Sequence, residues 1–159
     1  MILRRATEFD IPGIDKLLSQ VLDIHHAGRP DLFKSNTRKY TDEEILQIID
    51  DDERPIFVAA EPHAAPGNIL GYAFCVHQHH ANDNILTDIH TLYIDDLCVD
   101  ETTRGKHVGT ALYRHVLDYA RSRGFYNVTL NVWACNESAH RFYEHLGLTP
   151  QKYGLEQIL

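Results

Sequence analysis

Residues 100–112, DETTRGKHVGTAL, combine glycines, positive charge and the start of an amphipathic helix. The free backbone N–H groups at a helix N-terminus, together with the helix dipole, favour an anion such as a pyrophosphate. Gly105 and Gly109 permit close approach of the backbone, while Arg104 and Lys106 add positive charge. A plain strand-to-helix turn with incidental charge would have the same composition. The loop alone therefore leaves phosphate binding open.

Two apolar segments must hold this loop in place. Thr91–Val99 is predicted to form a strand that leads directly into it. After the loop, apolar residues recur at helical spacing and predict a buried helix face, with Gly124 as the residue that follows the helix. His115 lies within that face and is predicted to pack there. The face is made of Val108, Ala111, Leu112, His115, Val116, Tyr119 and Ala120.

The rest of the chain alternates between strand-like and helix-like segments. Asp10 is placed to cap a first helix, and Thr41 with Glu44 forms a capping box for a second. Asn136 is placed to cap a short helix that ends at Gly147. The element order β-α-α-β-β-β-α-β-α-β predicts a mixed α/β domain. The predicted strands are residues 2–7, 55–61, 68–80, 91–99, 127–132 and 151–159.

Length, composition and charge fit a single cytoplasmic domain, residues 1–159. Lys and Arg number 15 against 23 Asp and Glu, and the net charge of −8 argues against general binding to nucleic acid or to anionic membranes. No apolar run approaches the length of a membrane span. Cys75, Cys98 and Cys135 are scattered without CxxC spacing, so neither a disulfide framework nor a thiolate metal site is predicted.

Eleven histidines raise the question of a metal site. His77 and His79 share one face of a predicted strand. No carboxylate or thiolate partner is evident nearby in the sequence, and an exposed strand end is therefore favoured over metal binding. We expect no metal cofactor.

Two segments of the chain resemble the GNAT family of N-acetyltransferases. Residues 104–109, RGKHVG, resemble the R/Q-x-x-G-x-G/A loop of that family, and residues 93–99 are similar to its central strand. Residues 131–148, NVWACNESAHRFYEHLGL, resemble its N-x-x-A-x-x-F-Y-x-x-x-G-F/L segment. The close match covers about residues 91–150, and the N-terminal half agrees only in element order. Two motifs at the expected separation are far more specific than either alone.

The resemblance implies a fold and a reaction. The fold would be a GNAT-like α/β architecture, with a central, mostly antiparallel sheet that is splayed at two parallel strands and flanked by helices. Acetyl-CoA, or another acyl-CoA, would be the cosubstrate. The acceptor would be a primary amine of a small molecule or a peptide, attacking directly in a ternary complex. No motif identifies that amine, and the oligomeric state stays open, a homodimer included.

The resemblance also assigns cofactor contacts to particular positions. The backbone of Leu97, Cys98 and Val99 would pair with the pantetheine arm, and an N–H near Leu97 or Cys98 would donate to the developing oxyanion. Asn136 would cap its helix and contact the cofactor arm as well. The pyrophosphate would bind the backbone N–H groups of Arg104, Gly105, Lys106, His107, Val108, Gly109 and Thr110.

Tyr143 and Asp96 are the expected catalytic residues. By the resemblance, Tyr143 would be the general acid that protonates the departing thiolate; the alternative is a phenol that only packs in the core. Asp95 and Asp96 are neighbours on the central strand. Because adjacent strand residues point to opposite faces, we expect at most one to reach the acceptor pocket. Asp96 is favoured for binding the amine or relaying its proton, with a purely structural strand-end carboxylate as the alternative.

His107 departs from the family pattern, which has glycine at this position. Its side chain could crowd the pyrophosphate, or a protonated imidazole could donate to it. We favour a tolerated substitution. His107 is also the main support for an alternative function, a catalytically silent acyl-CoA-binding or sensing module. A protein-interaction domain without any cofactor is a third interpretation.

Overall fold

The computed structural model describes all 159 residues, Met1–Leu159. Short 3-10 turns at Glu8–Asp10 and Glu101–Thr103 precede the first and third helices. The predicted element order is confirmed as far as the fourth helix. The elements are β1 (Ile2–Arg5), α1 (Ile11–Gly28), α2 (Asp42–Ile49), β2 (Ile56–Ala60), β3 (Ile69–Gln78), β4 (Thr91–Val99), α3 (Val108–Ser122), β5 (Asn127–Leu130) and α4 (Glu137–His145).

The five strands form one mixed sheet in the order β1-β2-β3-β4-β5. The first three neighbouring pairs are antiparallel, and β4 with β5 is the single parallel pair. The crossover between β4 and β5 runs through α3, as a parallel connection requires. The predicted fold class, a mostly antiparallel sheet with one parallel pair and flanking helices, is confirmed.

Each face of the sheet is covered by its own apolar cluster. On one face, Ile14, Leu17 and Leu18 of α1 and Ile45 of α2 pack against strand residues that include Tyr72. On the other, α3 packs its apolar stripe on the sheet, with Val108, Leu112, Tyr113, Val116 and Ala120 buried. The predicted amphipathic helix is thus confirmed. We call the two surfaces the α1 face and the α3 face.

Helix caps follow the sequence signals at two of three predicted positions. The Thr41 hydroxyl accepts from the Glu44 N–H, and the Glu44 carboxylate accepts from the Thr41 N–H. The expectation for Asp10 is wrong, because its side chain makes no cap bond to α1. Its buried carboxylate instead accepts two hydrogen bonds from Arg4, at 2.7 and 3.0 Å, and one from the Thr7 N–H. A buried charge is tolerated when it is paired in this way.

The predicted strand at residues 151–159 is wrong. This segment is exposed and has no regular secondary structure. Its contact with the rest of the chain includes an ion pair between Glu156 and Arg29, which lies just after α1. Strand propensity expresses how well side chains fit a paired, half-buried surface, and the apolar residues here find no such neighbour. None of the helices combines the length and apolar character needed to span a bilayer.

Candidate active site

A cleft opens where β4 and β5 part. The parallel pairing runs from Thr91 opposite Asn127 to Ile94 opposite Leu130, and it stops there. β4 continues to Val99, paired only with β3 on its other side. The backbone of Leu97, Cys98 and Val99, which the sequence assigned to cofactor binding, therefore lies along an open strand edge. Unpaired N–H and C=O groups on such an edge can bind an extended polar chain.

The loop after β4 ends in a cluster of free backbone donors. Gly105 has φ of +81° and His107 has φ of +61°, which turns the chain sharply into α3. The first three residues of a helix have no intrahelical acceptor for their N–H groups. No hydrogen bond within the chain is made by the N–H of Gly105, His107, Val108, Gly109 or Thr110. These donors, at the N-terminus of a 15-residue helix, fit a pyrophosphate.

Only glycine adopts the backbone conformation at position 107 without strain. A side chain in the left-handed region costs about 1–2 kcal/mol. This explains in physical terms why the related loops have glycine where this chain has His107. The imidazole is exposed. His107 immediately precedes α3, and its side chain makes no hydrogen bond that caps the helix.

Asp100 fixes the start of the loop. Its buried carboxylate accepts from Lys16 Nζ at 2.5 Å, from the Thr102 N–H at 3.0 Å and from the Thr102 hydroxyl at 2.8 Å. The Lys16 ammonium, assisted by the Thr102 donors, holds the pKa of Asp100 at about 2. Asp100 is not among the site residues predicted from the sequence. The available signal was an aspartate followed two residues later by threonine, a common turn pattern.

Gly109 brings α4 close to α3. A Cβ atom at this position would lie 3.1 Å from Cζ of Phe142 and 3.3 Å from Cγ2 of Val99. The absent side chain thus lets Phe142 pack between the first turn of α3 and β4. Asn136 caps α4 as predicted, because its side-chain oxygen accepts from the Ala139 N–H at 3.2 Å. Together these contacts fix the position of Tyr143, the residue after Phe142.

The expectation that Asp95 and Asp96 point to opposite faces is wrong. Phe74 of β3 is opposite Asp96 and Cys75 is opposite Ile94, so Asp95 is an extra residue in a β-bulge. A bulge interrupts the alternation of side chains. Ile94 and Leu97 accordingly pack on the α3 face. Both carboxylates contact aromatic residues of the α1 face.

The two carboxylates have different surroundings on that face. Asp95 Oδ2 accepts from the Tyr40 hydroxyl at 2.6 Å and from Lys39 Nζ at 2.8 Å. Asp96 Oδ2 accepts from the Tyr72 hydroxyl at 3.0 Å. Burial raises the pKa of Asp96 to about 6, although the charge of Lys39 and the Tyr72 hydrogen bond oppose the shift. Asp96 is therefore the carboxylate able to exchange a proton near neutral pH.

Tyr143 lies within electrostatic reach of Asp96. Burial raises the pKa of the Tyr143 phenol, and the charge of Asp96 raises it further. The phenol consequently keeps its proton at neutral pH. Its hydroxyl forms no hydrogen bond within the chain and can donate to a bound ligand. The charge of Asp96 thus acts on the phenol of Tyr143, the other expected catalytic residue.

Cys98 contributes backbone to this site and not a reactive thiol. Its side chain is buried on the α1 face, with Sγ 3.6 Å from the carbonyl oxygen of Leu17. Burial raises the pKa of the thiol to about 12, so a thiolate is not formed at neutral pH.

Two histidine expectations have different outcomes. His115 packs as predicted, edge-on to Phe57 with ring centroids 4.9 Å apart. The argument that His79 has no carboxylate neighbour is wrong, because Nδ1 of His79 lies 3.2 Å from Oδ1 of Asp88. A loop between β3 and β4 brings these residues together, and the sequence pattern of one strand could not show it.

The sequence profile of the Acetyltransferase (GNAT) family matches residues 20–148. The chain belongs to the GNAT acetyltransferase family. The family match confirms the resemblance drawn from the loop at residues 104–109 and the segment at 131–148. It also extends that resemblance through most of the N-terminal half, where only the element order had agreed.

Solved structures share this architecture. A tetramutant of the BH1408 protein from Bacillus halodurans superposes with a TM-score of 0.93, at 29% identity and with 100% of each chain covered. Aminoglycoside N-acetyltransferase AAC(6')-Iy, solved in complex with CoA, superposes with a TM-score of 0.68 at 17% identity, covering 99% of this chain and 98% of its own. The second likeness shows the shared fold.

A curated relative matches part of the chain. N-acetylaspartate synthetase from Mus musculus is 33% identical over 81 residues, which are 51% of this chain and 24% of the relative. The match thus spans about a quarter of that relative's length.

Proposed function

We propose that this protein transfers an acetyl group from acetyl-CoA to the nitrogen of a primary amine, by direct attack in a ternary complex. The observation that carries the proposal is the position of Tyr143. Its hydroxyl has no partner within the chain, and the preceding residue, Phe142, lies against Gly109 in the first turn of α3. The open edge of β4 leads to the N-terminus of that helix, with its free N–H donors. The cosubstrate supplies an activated thioester carbonyl. The chain must bind and orient it, accept a proton from the amine and donate a proton to the departing thiolate.

Binding of the cosubstrate uses backbone groups. The free edge of β4 at Leu97–Val99 pairs with the pantetheine arm, and the free N–H groups at positions 104, 105 and 107–110 hold the pyrophosphate. The expected contribution of the Lys106 N–H is wrong, because it donates to the carbonyl oxygen of Thr103 at 3.3 Å. Asn136, at the start of α4, contacts the arm from the other side of the cleft. An N–H near Leu97 or Cys98 donates to the thioester oxygen as negative charge develops there.

Asp96 prepares the amine. A free alkyl amine has a pKa of about 10.4 and is protonated at neutral pH. The ionised Asp96 carboxylate binds this cation and accepts its proton, directly or through water, so that the nitrogen lone pair can attack. With a pKa of about 6, Asp96 is a better base than an ordinary carboxylate and is still mostly ionised at pH 7.

Tyr143 completes the proton balance. A C–N bond forms, the C–S bond breaks, and the sulfur leaves as a thiolate that Tyr143 protonates. The ammonium loses one proton to Asp96 before attack. The nitrogen loses a second proton once the C–N bond has formed, and that proton returns, directly or through water, to the Tyr143 phenol that gave its own to the thiolate. Asp95 serves this scheme indirectly, since its contacts with Tyr40 and Lys39 help to order the α1-face wall of the pocket.

Two measurements test the proposal. Acetyl-CoA at about 100 times its Kd should stabilise the protein by about 2.7 kcal/mol. The absence of any shift would contradict cofactor binding and favour an interaction domain. A panel of small amines and peptides, followed by thiol release and by the mass of the product, should then identify an acceptor. Binding without thiol release from any amine would favour a catalytically silent acyl-CoA sensor.

A further inference from the structure

Two histidines face each other at the end of the β3–β4 hairpin, away from the candidate active site. Gln78 of β3 is opposite Thr91 of β4, so His79 and His90 form the next opposed pair along the same hairpin. Their rings stack with centroids 5.1 Å apart and planes inclined by only 2°. Directly opposed side chains in an antiparallel pair are within reach of one ligand.

A carboxylate completes this cluster. Asp88 precedes His90 by two residues, and its Oδ1 atom lies 3.2 Å from Nδ1 of His79. The same oxygen accepts from the backbone N–H of His80 at 3.1 Å, which fixes the orientation of the carboxylate. One ligand atom from each of His79, Asp88 and His90 lies within 4.8 Å of the other two, and all three side chains are exposed.

Two imidazoles and a carboxylate are a ligand set for zinc and for other first-row divalent metals. Zinc bonds of about 2.0–2.2 Å place the ligand atoms of a tetrahedral site roughly 3.3 Å apart. The three atoms must therefore approach one another by at most about 1.5 Å, which rotation of exposed side chains can supply.

We propose that His79, Asp88 and His90 form a binding site for a divalent transition-metal ion such as Zn²⁺, with water in the remaining coordination positions. The site closes the loop at residues 80–89 by joining the two strands at its base. It is separate from acetyl transfer: at about 3.3 Å per residue along β4, His90 lies roughly 20 Å from Asp96. The bound ion stabilises the end of the β3–β4 hairpin.

The test is calorimetric titration of the full chain with Zn²⁺ after removal of metals by a chelator. The parent should bind one ion per chain at this site, and His90→Gln should weaken binding by at least about tenfold. His80→Gln is the matched control, because His80 is an exposed neighbouring histidine outside the cluster, and it should bind within about twofold of the parent. Circular dichroism of the metal-free variants should be unchanged, because His90 is exposed.

A site-specific readout separates this site from other histidines and from the exposed Cys135. Imidazole nitrogen resonances of His79 and His90 should shift together as Zn²⁺ is added, up to one equivalent. If His90→Gln binds as tightly as the parent, or if His80→Gln loses as much affinity as His90→Gln, the proposal is overturned. Shifts confined to histidines outside the cluster would overturn it as well.

Discussion

The Tyr72 hydroxyl donates a 3.0 Å hydrogen bond to Oδ2 of Asp96, across the β-bulge that turns both neighbouring carboxylates to the same face. This bond lowers the pKa of Asp96, opposing the burial that raises it to about 6. The candidate active site therefore contains a carboxylate whose pKa is set by burial on one side and by the charge of Lys39 and the Tyr72 hydrogen bond on the other.

Tyr72→Phe should move the acidic limb of the kcat/KM profile to higher pH. Without the hydroxyl donor, the hydrogen bond that lowers the pKa of Asp96 is gone, so this pKa rises above about 6. Asp96 then becomes protonated at a higher pH, and activity is lost earlier as the solution is acidified. A hydrogen bond to a charged group is worth about 1.5–3 kcal/mol, which corresponds to a shift of about one pH unit or more. The measurement is kcat/KM between pH 5 and 9.

Tyr119→Phe is the matched control for that substitution. Its hydroxyl lies 3.1 Å from Nε2 of His77, on the α3 face of the sheet. The acidic limb of the kcat/KM profile of Tyr119→Phe should coincide with that of the parent. An unmoved limb in Tyr72→Phe would mean that Asp96 is not the group whose ionisation governs activity.

His107→Gly should stabilise the protein. The left-handed conformation costs a side chain about 1–2 kcal/mol, and the greater freedom of glycine in the unfolded chain offsets about 0.5–1 kcal/mol of this gain. We expect the free energy of unfolding in urea to rise by about 0.5–1 kcal/mol, with acetyl-CoA binding equal or tighter. His107→Ala keeps the strain and removes the imidazole. Weaker acetyl-CoA binding in both variants would show that the imidazole contributes to the cofactor site.

Asp100→Asn should lower stability at neutral pH, with a defined pH dependence. The folded-state pKa of Asp100, about 2, lies below the ordinary value of 3.8, so its charge stabilises the folded protein. That contribution is complete above about pH 4 and is lost as the pH falls to about 2. Because Lys16 is exposed, we expect only about 1–2 kcal/mol at pH 7.

The check on Asp100 is urea unfolding of parent and variant at pH 7 and near pH 2. The difference in unfolding free energy should be present at pH 7 and should be largely lost at the lower pH. If the unfolding free energies of parent and variant differ by the same amount at both pH values, the effect comes from packing and not from charge. Weaker acetyl-CoA binding by the variant at pH 7 is also expected, because Asp100 holds the start of the loop.

Features encoded by neighbouring residues could be predicted from the sequence, and features set by strand register could not. The Asn136 cap and the loop after Val99 depend on local pattern, and both are confirmed. The bulge at Asp95 depends on how β4 aligns with β3. The pairs Lys16–Asp100 and Lys39–Asp95 join residues 84 and 56 positions apart. No pattern along a single element contains such information.

The central claim is tested most directly by thiol release from acetyl-CoA in the presence of an accepted amine, compared between the parent and Tyr143→Phe. This substitution preserves the ring and its packing and removes only the hydroxyl. We expect kcat to fall by about 10²–10⁴-fold with acetyl-CoA affinity retained, since general acid catalysis contributes rate enhancements of that order. Tyr153→Phe, in the exposed C-terminal segment, should match the parent. An unchanged kcat in Tyr143→Phe would contradict its role as the general acid.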